Sequence, residues 1–345
     1  MKFPCIPAVN IEKRAEAAAR QDLLTKPAGS MGRLEALSID IAGMTGTVAP
    51  KLEKRAVFLM AADHGIAREG VSPYPAEVTP QMVMNFLNHG AAINVLTRQA
   101  HSDVVIVDVG VNYDFPDMPG LVKRKIAYGT ANMLYGPAMT VEQAEKALQT
   151  GMDLLNESAD AGLQMAAIGE MGIGNTTAAA AITAILCGKE PALVTGRGTG
   201  LDDAGLKRKI GIIEQVLAAR QPDASDPMDV LCKVGGLEIA GMAGVAIAAA
   251  SRGIPLVMDG LISTASAALA DALAPGVRDY LIAGHRSPEI GHKYLLEKLG
   301  KYPLLQLDMR VGEGTGAALA FHLIDAANNI LRDMATFESA GISNR

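Results

Sequence analysis

Six times along the chain, an apolar run of strand length gives way to a loop of small and polar residues and then to a helical segment. Ala56 to Ala62 (AVFLMAA) is apolar throughout and ends in Asp63-His64-Gly65, the pattern of a parallel strand covered on both faces. Val104 to Val109 ends in Asp108-Val109-Gly110, and Leu163 to Ile168 ends in Gly169-Glu170-Met171-Gly172-Ile173-Gly174-Asn175. Ile254 to Met258 leads to Asp259-Gly260, and Tyr280 to Ala283 leads to Gly284-His285. In the last unit Leu305, Leu307, Met309 and Val311 alternate with Gln306, Asp308 and Arg310, a period of two that predicts a strand. It breaks into Gly312-Glu313-Gly314-Thr315-Gly316 before a long apolar helix from about Ala317. The units have no fixed length, which excludes a solenoid and predicts an α/β fold with an open parallel sheet.

The linking segments carry helix signals. Thr79-Pro80 has the form of an N-cap followed by Pro at N1, and predicts one helix to about Arg98 with Met82, Val83, Phe86 and Leu87 on its inner face. Thr140-Val141-Glu142-Gln143 is a capping box. Asn175 or Thr176 caps an alanine-rich helix that Gly188 closes, and Ser287-Pro288 starts another. Residues 1–50 are amphipathic and helical around a turn from Lys26 to Arg33, with Leu34, Leu37, Ile41 and Met44 at helical spacing. They are expected to join the C-terminal helix as a small helical domain, 1–50 plus 317–345, beside a large α/β domain spanning 51–316.

Ligands of open parallel sheets bind beyond the carboxyl ends of the strands. The polar residues expected there are Asp63, His64, Asp108, Glu170, Asp259, His285 and Glu313. Composition narrows the ligand. The chain has 345 residues, 49% of them hydrophobic but only 4% aromatic, a net charge of −6 and no Lys/Arg stripe, so nucleic-acid binding has no electrostatic or stacking footprint. The apolar stretch from Ile239 to Ala250 is too short to span a bilayer. The N-terminus lacks the apolar core of a signal peptide, and three scattered cysteines form no CxxC. Together these predict a soluble cytoplasmic protein.

Each candidate site has two readings. Glu313, between glycines at a helix mouth, reads as a general base or as a solvated loop carboxylate. Gly172 to Thr177 (GIGNTT) reads as a phosphate loop or as an ordinary strand-to-helix turn; it lacks the third glycine of the dinucleotide fingerprint and a Walker lysine. Gly196 to Gly200 (GRGTG), followed by Lys207, Arg208 and Lys209, reads as a second phosphate loop or a flexible connection. Two such loops without a basic surface favour a small phosphorylated ligand. Asp63-His64 reads as metal ligands or as strand-end structural groups; none of the six histidines has HxH or HExxH spacing, and no metal or cofactor is expected. Glu170 and Glu313 remain open as a carboxylate pair.

Taken in order, the loops resemble one family, the nicotinate-nucleotide–dimethylbenzimidazole phosphoribosyltransferases. The matching stretches are KPAGSMGRLE (Lys26 to Glu35), ADHGIAREGVSPYPAEVT (Ala62 to Thr79), IGEMGIGNTTAAAA (Ile168 to Ala181), DVLCKVGG (Asp229 to Gly236), LVMDG (Leu256 to Gly260), GHRSPEIGH (Gly284 to His292) and MRVGEGTGAAL (Met309 to Leu319). The resemblance implies a Rossmann-like sheet, a homodimer, and transfer of phosphoribose from nicotinate mononucleotide to a benzimidazole-type base. It implies Glu313 as the base. It implies Gly172, Gly174, Asn175, Thr176, Gly198, Lys209, Asp259 and Ser287 around phosphate and ribose. Tyr74, Met82, Glu170, Met171 and Val311 would line the base pocket. Two other readings keep the site: a nucleotide N-ribosyl hydrolase, with water as acceptor, and a non-catalytic nicotinate-nucleotide sensor.

Overall fold

The computed structural model describes residues 1–343. Six strands, β1 (Arg55–Ala62), β2 (Asp103–Gly110), β3 (Leu121–Lys123), β4 (Met165–Met171), β5 (Leu256–Met258) and β6 (Leu281–Ala283), form one sheet in the order β3-β2-β1-β4-β5-β6. Every neighbouring pair is parallel. This is the doubly wound order whose direction reverses between β1 and β4. All eight residues of β1 are buried, as expected of a strand apolar on both faces.

Small residues set how closely the helices cover the sheet. Helix Leu237–Ser251 is buried everywhere except at Ser251. A Cβ added at Gly151 would strike the Gly241 carbonyl, and one at Gly244 that of Leu148. Helices Val141–Asp160 and Leu237–Ser251 therefore cross backbone against backbone. Among the described residues no helix is long and apolar enough to cross a membrane.

Helices Ile11–Leu23 and Arg33–Thr45 pack with helix Thr315–Asp333. Ala17, Ala42 and Leu331 are buried together, Gln21 Nε2 donates to Ser38 Oγ at 2.9 Å, and the Arg20 guanidinium donates to the Leu331 and Arg332 carbonyls. The Lys26–Glu35 ion pair, 2.7 Å and largely buried, closes the turn between the first two. We propose that these elements are the small helical unit. The inner face of helix Thr315–Asp333, including Phe321 and Ile324, belongs to the main core.

Several expectations need correction. The stretch from Leu305 to Val311 is not a sheet strand: only Leu305 bridges, to His285, while Leu307 and Val311 are more than half exposed. Alternation needs a partner strand, and Asp308 at φ 54° turns the chain away. The sixth strand is instead β3, a three-residue edge too short to show a period. The single helix expected from Thr79 to Arg98 is two, Val78–Leu87 and Ala92–Gln99. Thr79 lies inside the first turn and is not its N-cap. Gly174, at φ 96°, is the N-cap expected at Asn175 or Thr176, and the helix expected at Ser287 begins at His292. The Thr140 capping box and the Gly188 C-cap form as read.

Candidate active site

A cleft of about 720 Å³, its mouth included, opens above the carboxyl ends of β4, β5 and β6. Pairing puts Ile168 beside Met258 and Met258 beside Ala283, so Glu170, Asp259 and Gly284 emerge at nearly the same height. The fourth contributor is the turn before helix Thr315–Asp333. Gly312, Glu313 and Gly314 have φ of 82°, 62° and 89°. Glycine adopts that region freely, whereas for Glu313 it stores about 1–3 kcal/mol.

Direct contacts hold this turn. A Cβ at Gly169 would strike the Glu313 carbonyl oxygen, and one at Gly312 would strike Glu170 Oε1. Asp259 supplies the polar anchor: Oδ2 accepts the Gly314 N–H at 3.1 Å, and Oδ1 accepts those of Gly316 and Ala317 at 2.7 and 3.2 Å. A carboxylate on a helix's first N–H groups is favoured by capping and by the helix dipole. His285 Nε2 lies 3.3 Å from Asp259 Oδ1. Asp259 lines the cleft, but its oxygens are committed to the scaffold.

Glu313 is 7% exposed. Burial raises its pKa, the Ile93 N–H at 3.3 Å on Oε2 partly offsets this, and nearby Asp259 adds to the rise. The burial comes from the turn's seat against β4 and β1, not from Val311, which is 57% exposed. Burial lifts Glu170 to about 8, opposed by the Asn175 side-chain amide that donates to Oε2 and reinforced by Glu238, Asp259 and Glu313. Glu170 is therefore a neutral acid at pH 7.

Across the cleft, Gly172, Asn175, Thr176 and Gly198 belong to the lining. Lys209 stands behind them, 1% exposed, donating to Thr176 Oγ1 at 2.7 Å. Burial lowers its pKa to about 8, while Glu289 favours its charged form. Gly198 packs against both, its added Cβ falling 3.1 Å from Thr176 Oγ1 and 3.4 Å from Lys209 Nζ. Cation, hydroxyl and helix N-terminus together suit a phosphate.

Met171, Val311 and Ser287 also line the cleft; Tyr74, half exposed, and Met82, half-buried, do not. Gly174 caps the helix beneath the lining. Reading the sequence missed Glu289 and Arg310, which also face the cleft. Arg310 Nη1 donates to the Gly198 carbonyl at 3.3 Å, a pairing across more than a hundred residues that no local pattern signals. His292 accepts the Ser287 N–H at Nδ1 (3.0 Å), so its Nε2 carries the proton and donates to Thr264 Oγ1 (3.0 Å). Burial, with His285 and Arg286 nearby, lowers its pKa to about 3.

Asp63 and His64 are engaged elsewhere. His64 Nε2 meets Glu238 Oε1 at 2.5 Å, and Asp63 Oδ2 accepts the Asn112 N–H at 2.7 Å. Among the described residues no group of three or more His, Cys, Asp or Glu is arranged to hold a metal ion.

A doubly wound sheet with glycine turns, a buried lysine and a buried carboxylate around one cleft defines an α/β protein whose site suits a small phosphorylated ligand. The family model described as "Phosphoribosyltransferase" matches residues 6–342. The nicotinate-nucleotide–dimethylbenzimidazole phosphoribosyltransferase of Chloroflexus aggregans is 56% identical over 97% of this chain and 96% of its own length. That of Geobacter metallireducens is 54% identical over 95% and 93%. The crystal structure of CobT from Thermus thermophilus superposes with a TM-score of 0.93 at 50% identity, covering 97% of this chain and all of that one. The chain belongs to the nicotinate-nucleotide–dimethylbenzimidazole phosphoribosyltransferase family.

Proposed function

We propose that the protein transfers phosphoribose from nicotinate mononucleotide to 5,6-dimethylbenzimidazole or a related base, giving α-ribazole 5'-phosphate and nicotinate for cobamide lower-ligand assembly. Family membership supports the reaction. The observation that carries the mechanism is the buried Glu313 carboxylate in the wall of a cleft that Gly172, Asn175, Thr176 and Gly198 also line.

The donor's pyridinium is already a good leaving group, so the nucleotide end needs positioning more than acid catalysis. Its phosphate is held by the turn Gly172 to Thr176, by Gly198 and by the charge of Lys209, with the Ser287 hydroxyl at hand for phosphate or ribose. A benzimidazole nitrogen attacks the ribose anomeric carbon as the bond to nicotinate breaks, and that bond's electron pair returns to the pyridine nitrogen. Attack on the face opposite the leaving group turns a β donor into an α product. The incoming ring gains positive charge, which is discharged when Glu313 takes the proton from its other nitrogen. Burial suits Glu313 to that task by raising its proton affinity.

Glu170 lines the acceptor side as a neutral acid, beside Met171 and Val311. Those apolar neighbours favour a heterocycle over water, which sets transfer above hydrolysis. Tyr74 and Met82 would close on the acceptor only by moving toward the cleft. The active form we propose is a homodimer, as the resemblance implies, in the cytoplasm, where three unpaired cysteines suit a reducing compartment.

Incubation with nicotinate mononucleotide, with and without dimethylbenzimidazole, and mass analysis of products tests the assignment. A riboside phosphate that forms only when the base is present supports transfer. Free ribose phosphate would support hydrolysis instead, and a donor that stays intact would support sensing.

A further inference from the structure

Thr79 is fully buried in the first turn of helix Val78–Leu87, and its hydroxyl does no capping there. Instead Oγ1 accepts the backbone N–H of Ile173, 94 residues away, at 3.1 Å. Ile173 is the middle residue of the turn Gly172-Ile173-Gly174. The Asp63 carboxylate lies near the Thr79 hydroxyl, and its Oδ2 takes the Asn112 N–H. The result is a buried bond that ties the glycine turn to the first turn of helix Val78–Leu87.

The same turn is wedged sterically from below. A Cβ at Gly172 would strike the Ala62 carbonyl and lie 3.5 Å from His64 Cδ2; one at Gly174 would lie 3.3 Å from both His64 Cβ and Ala67 Cβ. His64 is itself fixed by Glu238. Sterics therefore set how far the turn sits from β1, while the Thr79 hydroxyl on the Ile173 N–H, together with the Asn175 N–H on the Gly172 carbonyl at 3.2 Å, sets the rotation of that peptide. That rotation decides where the following N–H groups point.

We propose that Thr79 is a positioning residue for phosphoribosyl transfer, holding the glycine turn in its anion-binding orientation and coupling it to the helix that carries Met82 one turn further on. The proposal rests on the reading that the turn Gly172 to Thr176 receives the donor phosphate. It explains why a threonine occupies a helical position where its hydroxyl is not needed by its own helix.

Thr79→Val keeps the shape and deletes the hydroxyl, whereas Thr79→Ser keeps the hydroxyl and deletes the methyl. Thermal melts, calorimetric binding of nicotinate mononucleotide without acceptor, and initial rates with both substrates varied are measured for each, with Lys209→Met in parallel. Loss of one buried hydrogen bond predicts Kd and KM for the nucleotide up about tenfold in Thr79→Val, with kcat changed less than about threefold. Thr79→Ser stays within about twofold of wild type for the nucleotide, even if its melting temperature falls with the lost methyl. Wild-type nucleotide affinity in Thr79→Val, while Lys209→Met loses binding, overturns the role of Thr79 alone. Unchanged affinity in both variants overturns the phosphate placement together with it. Equal impairment in Val and Ser variants also overturns the proposal, because packing rather than the hydroxyl would then be responsible.

Discussion

Asp259 Oδ1 accepts the backbone N–H of Gly316 at 2.7 Å, fastening the end of β5 to the first turn of the helix that follows Glu313. With the Gly314 N–H on Oδ2, the carboxylate holds both sides of Thr315 and so fixes the seat of the proposed base. Asp259→Asn leaves one oxygen for these donors and sets an NH₂ group against the rest. The expected result is a loss of about 1–2 kcal/mol of stability and a fall in kcat, with little change in the nucleotide KM. A large rise in that KM would instead make Asp259 a ribose ligand, as the resemblance implies.

Glu313→Gln keeps the side chain's size and removes its basicity. Turnover is expected to drop about 100-fold or more, with nucleotide affinity and melting temperature retained. In the wild-type enzyme the base works when ionised, so kcat falls as pH drops through its pKa. Burial places that acid limb above the ordinary glutamate value of 4.5. Near-wild-type turnover in Glu313→Gln removes the residue from the base role.

The elevated pKa of Glu170 predicts a pH-dependent stability. Between its ordinary value of 4.5 and about 8 the folded protein binds the proton more tightly than the unfolded chain. Its contribution is present below 4.5 and is lost as pH rises toward 8. Glu170→Gln is already neutral, so its melting temperature relative to wild type should climb across that interval. A difference independent of pH would show that Glu170 ionises normally.

Gly312→Ala places a methyl against Glu170 Oε1 at a residue with φ 82°. The expected effect is a fall in kcat of about tenfold or more, since the Glu313 turn must shift by part of an ångström. Gly211→Ala is the control: it lies inside helix Asp203–Arg220 with nothing within 4 Å of an added Cβ. It should gain about 0.5–1 kcal/mol in a denaturant titration with unchanged kinetics.

Much of the fold was legible because its signals are local. The all-apolar run before Asp63 has the length and composition of a doubly covered strand, and the Thr140 capping box and Gly188 terminus carry their geometry in a few residues. The alternation from Leu305 to Val311 misled, since period two reports a chain that could pair, not one that has a partner. β3 escaped notice for the converse reason: Leu121–Lys123 is a strand only because β2 lies beside it.

The sequence alone settled the class of fold, the chemistry available at the strand ends and, through ordered motifs, the family. Tertiary structure decided which of those strand-end groups meet. Glu170, Asp259 and Glu313 converge because β4 and β5 are neighbours and the last helix starts above them, whereas Asp63 and His64 are absorbed in supporting a loop. The raised pKa of Glu313 and the bond from Ile173 to Thr79 have the same origin. Both depend on desolvation and contact between segments far apart in the chain, and no run of neighbouring residues encodes either.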